Sequence, residues 1–158
     1  MQTLHRSMTV EVGLGVGWLN FSADSESETS DLGTSLSFAV GGWINPQLAI
    51  TGRIAAVGLS ENDVSVTHVF LGPALQYWLT DQVWFGGGVG FTGFGVSDGS
   101  RAERIDGFGF DLRAGCSLSV GGENTLNLSL ELIPGFYSEG GESARITGIG
   151  VLFGYQHL

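Results

Sequence analysis

Most of the chain alternates with period two between large apolar residues and small or polar ones, as strands do when successive side chains point to opposite faces. Eight segments follow this rule. In segment one, about 9–21, Val10, Val12, Leu14, Val16 and Trp18 oppose Glu11, Gly13, Gly15 and Gly17. Segment two, about 34–45, sets Leu36, Phe38, Val40 and Ile44 against Ser35, Ser37, Ala39 and Gly41. Segment three, about 47–58, sets Leu48, Ile50 and Ile54 against Ala49, Thr51, Arg53 and Ala55. In segment four, about 65–80, Val69, Leu71, Leu75, Tyr77 and Leu79 oppose His68, Gly72, Ala74 and Gln76. Segments five (about 82–96), six (about 106–120), seven (about 124–137) and eight (about 146–158) repeat the plan, with Phe85, Phe110, Leu130 and Phe153 among their apolar residues.

The connections alternate too. Asn45-Pro46-Gln47, Thr80-Asp81-Gln82 and Gly121-Gly122-Glu123-Asn124 are tight turns built from turn-forming residues. The other four, near 22–33, 59–64, 97–105 and 138–145, read as longer polar loops. Folding about Asp81 places Tyr77 opposite Phe85, Leu71 opposite Phe91 and Trp78 opposite Trp84, so like faces like. Folding about Pro46 places Ile44 opposite Leu48 and Phe38 opposite Ile54. A one-residue slip would mix the two faces in both hairpins. Pro73 and Pro134 fall inside strands, where each deletes a ladder hydrogen bond, and are expected to mark bulges or strand breaks.

Composition decides which face is inside. The second set is mostly glycine, alanine and serine, and glycine fills 27 of the 158 positions. A soluble barrel would carry Lys, Glu, Ser and Thr there. Small residues with a few opposite charges suit a cramped interior, so the large apolar set faces outward into hydrocarbon. Charged residues are only 14%, yet mean hydropathy is just +0.22. No run approaches the roughly 20 apolar residues of a membrane-spanning helix, whereas each segment is long enough for a tilted strand span. The fold class expected is all-β, an eight-stranded antiparallel up-and-down transmembrane β-barrel, whose interior side chains can just fill. Closure also removes the edges that lipid could not solvate. Short turns would face the periplasm and long loops the exterior, with both termini on the periplasmic side. Residues 8–158 would be one barrel domain and 1–7 a flexible tail or expression remnant. Trp18, Tyr77, Phe85 and Tyr155 are candidate aromatic girdle positions.

At this point the chain resembles the small eight-stranded outer-membrane β-barrel family, the OmpA transmembrane-domain, OmpX and OmpW-like proteins of Gram-negative bacteria. The resemblance covers roughly residues 8–158 and is one of pattern. Its most family-like stretch is Gly72-Pro-Ala-Leu-Gln-Tyr-Trp-Leu-Thr-Asp-Gln-Val-Trp-Phe-Gly-Gly-Gly-Val-Gly-Phe91. Such proteins usually end in an aromatic residue, whereas this chain ends Gly154-Tyr-Gln-His-Leu158. The resemblance implies a bacterial outer-membrane protein exported by a signal peptide that this chain does not contain. It also implies contact with outer-membrane lipid and lipopolysaccharide.

The remaining chemistry is sparse. Six arginines stand against sixteen acidic residues, a formal net charge of −10 with no basic stripe, so nucleic acid is not an expected partner. Cys116 is alone, which excludes a disulfide framework and a zinc constellation. No metal and no cofactor is expected. Glu11, Asp111 and Glu131 against Arg53 and Arg113 form an inward set that sums to −1, either a static ion-pair plug or a gate whose arginines exchange carboxylate partners. His68, Gln76 and Gln156 would extend that network. Trp43, Trp78 and Trp84 fall in the inward phase near the short turns. They form either an aromatic stopper or, with strand ends twisted, part of the girdle. The four polar loops hold eight of the ten excess negative charges, among them Asp24, and read as a solvated surface or as a site for bridging cations and an extracellular partner. The sole His-x-Ser is His5-Arg6-Ser7, and no nucleophile–base pair sits at a strand end, so enzymatic activity is not expected. The glycine runs are not phosphate loops, because no helix follows them. The leading expectation is a non-enzymatic, monomeric barrel, structural or surface-interacting, with an ion-pair-plugged lumen. The alternatives are a narrow gated pore for ions or small solutes and a lipid-modifying outer-membrane enzyme.

Overall fold

The computed structural model describes residues 8–23 and 25–158, with the backbone alone for 119–121. Nine strands follow one another: β1 (Thr9–Ala23), β2 (Glu26–Thr29), β3 (Gly33–Asn45), β4 (Leu48–Glu61), β5 (Val64–Trp78), β6 (Val83–Ser97), β7 (Ala102–Gly121), β8 (Asn124–Glu139) and β9 (Glu142–His157). Each pairs antiparallel with its neighbour, and β1 pairs with β9 from Val10↔His157 to Ser22↔Arg145, closing the sheet. Eight strands make the barrel. The ninth, β2, pairs only with the far end of β1, from Asn20↔Thr29 to Ala23↔Glu26. Residues 1–7, including His5-Arg6-Ser7, and Asp24 lie outside the described residues.

The period-two pattern is realised with its apolar set outward. Leu14, Leu36, Ile54, Leu71, Phe108 and Phe153 are all about half exposed, and Phe91 is 75% exposed. The glycine and polar set turns inward, where Glu11, Arg53, His68, Gln76, Asp111, Arg113, Glu131 and Gln156 are all buried. The hairpin about Asp81 pairs as the sequence predicts: Tyr77↔Phe85, Leu71↔Phe91 and Trp78↔Trp84. Phe38 meets Ile54, but Ile44 does not meet Leu48. A bulge between Trp43 and Asn45 puts Asn45 opposite Leu48 instead and leaves Ile44 unpaired.

Two further expectations are corrected. The long polar loops are largely strand. β4 and β5 are joined by Asn62-Asp63 alone, both at positive φ (47° and 66°), and β8 and β9 by Gly140-Gly141, also at positive φ. The strands therefore rise beyond the apolar band as a crown. Between β6 and β7 the Asp98 carboxylate accepts from the Arg101 and Ser100 backbone N–H groups at 2.7 and 3.1 Å, which holds it below the usual carboxylate range. The prolines mark neither bulge nor break. Pro73 still faces Gly52, and the β5–β6 register is the same on both sides of a gap at Gly72 and Pro73. Pro134 faces Thr147, with a similar unshifted gap between β7 and β8.

Candidate functional site

Among the described residues, the lumen is the one place where charged side chains are buried together, and strand alternation sorts its contents into layers. At the rim with the short turns, Trp78, Trp84 and Leu158 form a buried cluster against half-buried Trp43. The indoles stand in a chain, 6.4 Å between Trp43 and Trp78 and 6.3 Å between Trp78 and Trp84. The girdle alternative is thus overturned for Trp78 and Trp84. The nearby bulge skips Ile44 and does not turn Trp43 out of the stack. Gly115 makes the space: a Cβ there would lie 2.4 Å from the Trp84 ring.

Above the indoles lies an amide layer. Gln76 and Gln156 exchange hydrogen bonds at 3.2 and 2.9 Å, and Gln156 also donates to Thr9 Oγ1 and accepts from Asn127. Asn127 in turn accepts from the Ser117 hydroxyl at 2.9 Å.

The ionic layer follows. Arg53 is at its centre: Nη1 donates to Glu11 Oε1 at 3.0 Å, Nη2 donates to Glu131 Oε1, and Nε lies 2.8 Å from Asp111 Oδ2. Arg113 meets one carboxylate. Its Nη1 donates to both oxygens of Glu11 at 2.7 and 2.8 Å, and its guanidinium carbon sits 5.2 Å from the centre of the Trp84 ring. Gly86 gives Arg113 room, since a Cβ there would lie 2.8 Å from Nε. Glu11 bridges the two arginines, and desolvated charges persist only with such pairing. The five residues singled out from the sequence do meet in space.

His68 does not extend this network. Its Nε2 lies 2.9 Å from the Ile133 carbonyl, which can only accept, so Nε2 carries the proton and Nδ1 accepts from the Tyr137 hydroxyl at 3.0 Å. Gln76 and Gln156 likewise form their own group. His68 belongs to the apolar part of the lumen, beside Ala55, Phe70 and Ile133. Further out, Leu19, Val57, Tyr137 and Ile146 close the interior, with Phe21, Leu59, Val66, Phe94 and Ile105 packed on them. This cap, and Thr9, were missed in the sequence. Their signal was available, because they keep the inward phase of their strands.

On the outer face, Trp18 and Tyr77 are half-buried, while Phe85 and Tyr155 are about half exposed. Tyr77 packs on Phe85 at 5.5 Å between ring centres, and the Tyr155 hydroxyl donates to Asn124. Among the described residues, no group of three or more His, Cys, Asp or Glu is placed to hold a metal ion.

No family model matches the chain, and no curated protein does. Solved structures do. The crystal structure of Neisserial surface protein A superposes with a TM-score of 0.72 at 13% identity, covering 95% of this chain and 96% of that one. This is the small eight-stranded outer-membrane barrel fold. A second structure with the same fold is Ail, the attachment invasion locus protein of Yersinia pestis, with a TM-score of 0.55 at 12% identity over 94% of this chain and 99% of that one. Ail in complex with the heparin analogue sucrose octasulfate superposes similarly, at a TM-score of 0.54. At these identities the likeness speaks for the fold of the barrel.

Proposed function

We propose that this protein sits in a Gram-negative outer membrane as a non-enzymatic barrel, its lumen closed by an ion-pair plug and its crown turned to the cell exterior. The observation that carries the reading is Arg53, buried among three carboxylates and sealed between the indole stack and the apolar cap. A conducting lumen would need water around those charges. Instead, side chains from every wall meet across it. The crown is the part left for partners. Glu26, Glu28, Glu61, Glu103, Glu139 and Glu142 all lie in it and are exposed, so it suits a partner that tolerates or seeks negative charge. Ail, whose name denotes attachment and invasion, supports a surface-interaction role for the same scaffold. Its bound polyanion does not suit so acidic a crown.

A narrow gated pore is the second reading. It is favoured by Arg113, which holds only Glu11, a carboxylate that Arg53 also holds. Letting go would leave Glu11 paired. Planar-bilayer recordings of the refolded protein, with insertion confirmed by protease protection, separate the two. A plug predicts an inserted but silent protein, in which Arg113→Ala lowers thermal stability and opens no steady current. Discrete current steps in the parent protein that change with Arg113→Ala would replace the plug with a gate.

A further inference from the structure

The buried ionic layer does not balance. Glu11, Asp111 and Glu131 bring three negative charges and Arg53 and Arg113 two positive ones, and all five side chains are nine-tenths or more buried. Their neighbours across the sheet, Ala39, Gly72, Gly88, Gly150 and Gln156, bear no charge. Among the described residues the other buried titratable side chains of the lumen are His68 and Tyr137, which bond to each other beyond Ile133. One positive charge is therefore missing from a place where an uncompensated charge is strongly destabilising.

The three carboxylates are not equally served. Glu11 accepts from both arginines, from Arg53 Nη1 at 3.0 Å and from Arg113 Nη1 at 2.7 and 2.8 Å, and is the ionised member of the set. Glu131 Oε1 accepts from Arg53. Glu131 Oε2 and both Asp111 oxygens meet no donor in hydrogen-bond geometry among the described residues, and Asp111 has only the ionic approach of Arg53 Nε to Oδ2 at 2.8 Å. The register puts these two acids together. Glu131 stands opposite Arg113, and Asp111 precedes Arg113 by two residues on β7, so Asp111 and Glu131 are diagonal neighbours on the inward face. Their carboxyl groups hydrogen-bond to each other. An ionised carboxylate can only accept, so this contact requires a proton on one of them. Two ionised carboxylates held in contact in a buried site would instead repel.

We propose that the ionic layer is a proton-binding site, in which one proton shared by Asp111 and Glu131 supplies the missing charge. The inference rests on the plug reading, because only a sealed lumen keeps solvent cations from supplying that charge. The proton makes the set neutral, gives an orphaned carboxylate oxygen its donor and leaves Arg53 bridging Glu11 to the acid pair. Its release puts two negative charges in contact beneath one guanidinium, so the plug loosens as the pH rises. The unfolded chain has released both of these protons above about pH 5, whereas the folded barrel keeps one. Folding therefore binds a proton, and stability falls with rising pH until the folded state releases it too.

The test follows urea unfolding of the micelle-folded barrel across pH for wild type, Asp111→Asn and Glu131→Gln. One proton changes the unfolding constant about tenfold per pH unit, so from about pH 5 upward wild type should lose stability more steeply than either variant by that factor. Equal slopes in all three would overturn the proposal. Glu11→Gln removes the same formal charge together with the carboxylate that Arg113 holds, so at neutral pH its unfolding constant should be about a hundredfold larger than that of wild type. A Glu11→Gln barrel as stable as Asp111→Asn would move the proton off the acid pair and overturn the assignment. Wild type alone gives a second readout, the infrared carbonyl band of a neutral carboxylic acid in the folded barrel at neutral pH, and its absence would also overturn the proposal. So would a urea midpoint that follows sodium concentration at fixed pH, which would assign the charge to a metal cation. Planar-bilayer recordings judge the plug separately. A silent barrel without the pH difference overturns the proton alone, whereas a conducting one overturns the plug and, with it, the seal that the proton requires.

Discussion

Arg53 is the residue on which the interior turns. It meets Glu11, Asp111 and Glu131 from three other strands, whereas Arg113 meets Glu11 alone. Removing one partner of a buried ionic cluster leaves uncompensated charge and costs about 3–5 kcal/mol. Arg53→Met should therefore destabilise the micelle-folded barrel by that order, read as a fall in the urea midpoint of unfolding. Neutralising a carboxylate in the same background should recover part of the loss: Arg53→Met with Glu131→Gln is expected to be more stable than Arg53→Met alone. An unchanged midpoint for Arg53→Met would mean that the lumen charges are solvated, and the plug would be abandoned. At this scale the sequence was informative, because five isolated charges in a glycine-rich phase could only be inward and had to be paired. The partner assignments within the set could not be read, since alternation fixes the face of a side chain and not its reach across a lumen.

Among the elements, the seam between β1 and β9 closes the barrel, and its geometry depends on a missing side chain. A Cβ at Gly15 would stand 1.9 Å from the Val151 carbonyl oxygen and 2.7 Å from the Leu152 Cα, both backbone atoms that cannot rotate away. Gly52 is a control on the outer face, where the nearest atom to a built Cβ is 3.9 Å away. Gly15→Ala should cost at least about 2 kcal/mol through forced backbone shifts. Gly52→Ala should stay within about 0.5 kcal/mol, as surface substitutions do. The same urea titration measures both, and equal midpoints would show that the seam is not tightly coiled. The eight barrel strands and most of their register were legible because a wrong register exchanges the faces. Where the two faces differ less, the pattern faded. Above the band both phases are polar, glutamate on the inward one and serine and threonine on the outward one, so β4, β5, β7, β8 and β9 run further than alternation alone indicated. The bulge at Trp43–Asn45 was invisible for a related reason, since one extra residue beside a turn leaves the flanking alternation intact.

For the molecule as a whole, the decisive property is that its largest apolar side chains are on the outside. Phe91, Leu14, Leu71, Leu36 and Phe153 are each more than half exposed around a closed wall, far beyond the scattered exposed apolar residues of a soluble protein. The interior, by contrast, contains polar groups in number: the ion pairs, the amide layer, and Ser35, Ser37 and Ser117. Turning the barrel inside out by a one-residue register shift would break the buried ion pairs and drive leucine and phenylalanine into a lumen where even a Cβ at Gly15, Gly41, Gly72 or Gly90 would meet backbone oxygen within 2.3 Å. Water therefore cannot stabilise either arrangement, while hydrocarbon stabilises the one observed. The net charge of −10 is no remedy, because much of it lies in the crown and the band beneath carries none on its outer face. Diluted from urea into buffer alone, the chain should aggregate or stay open. Diluted into micelles or phosphatidylcholine vesicles, it should gain strand circular dichroism and protease protection of the strands together. A monodisperse, strand-rich monomer in detergent-free buffer would sink the membrane assignment and, with it, the plug.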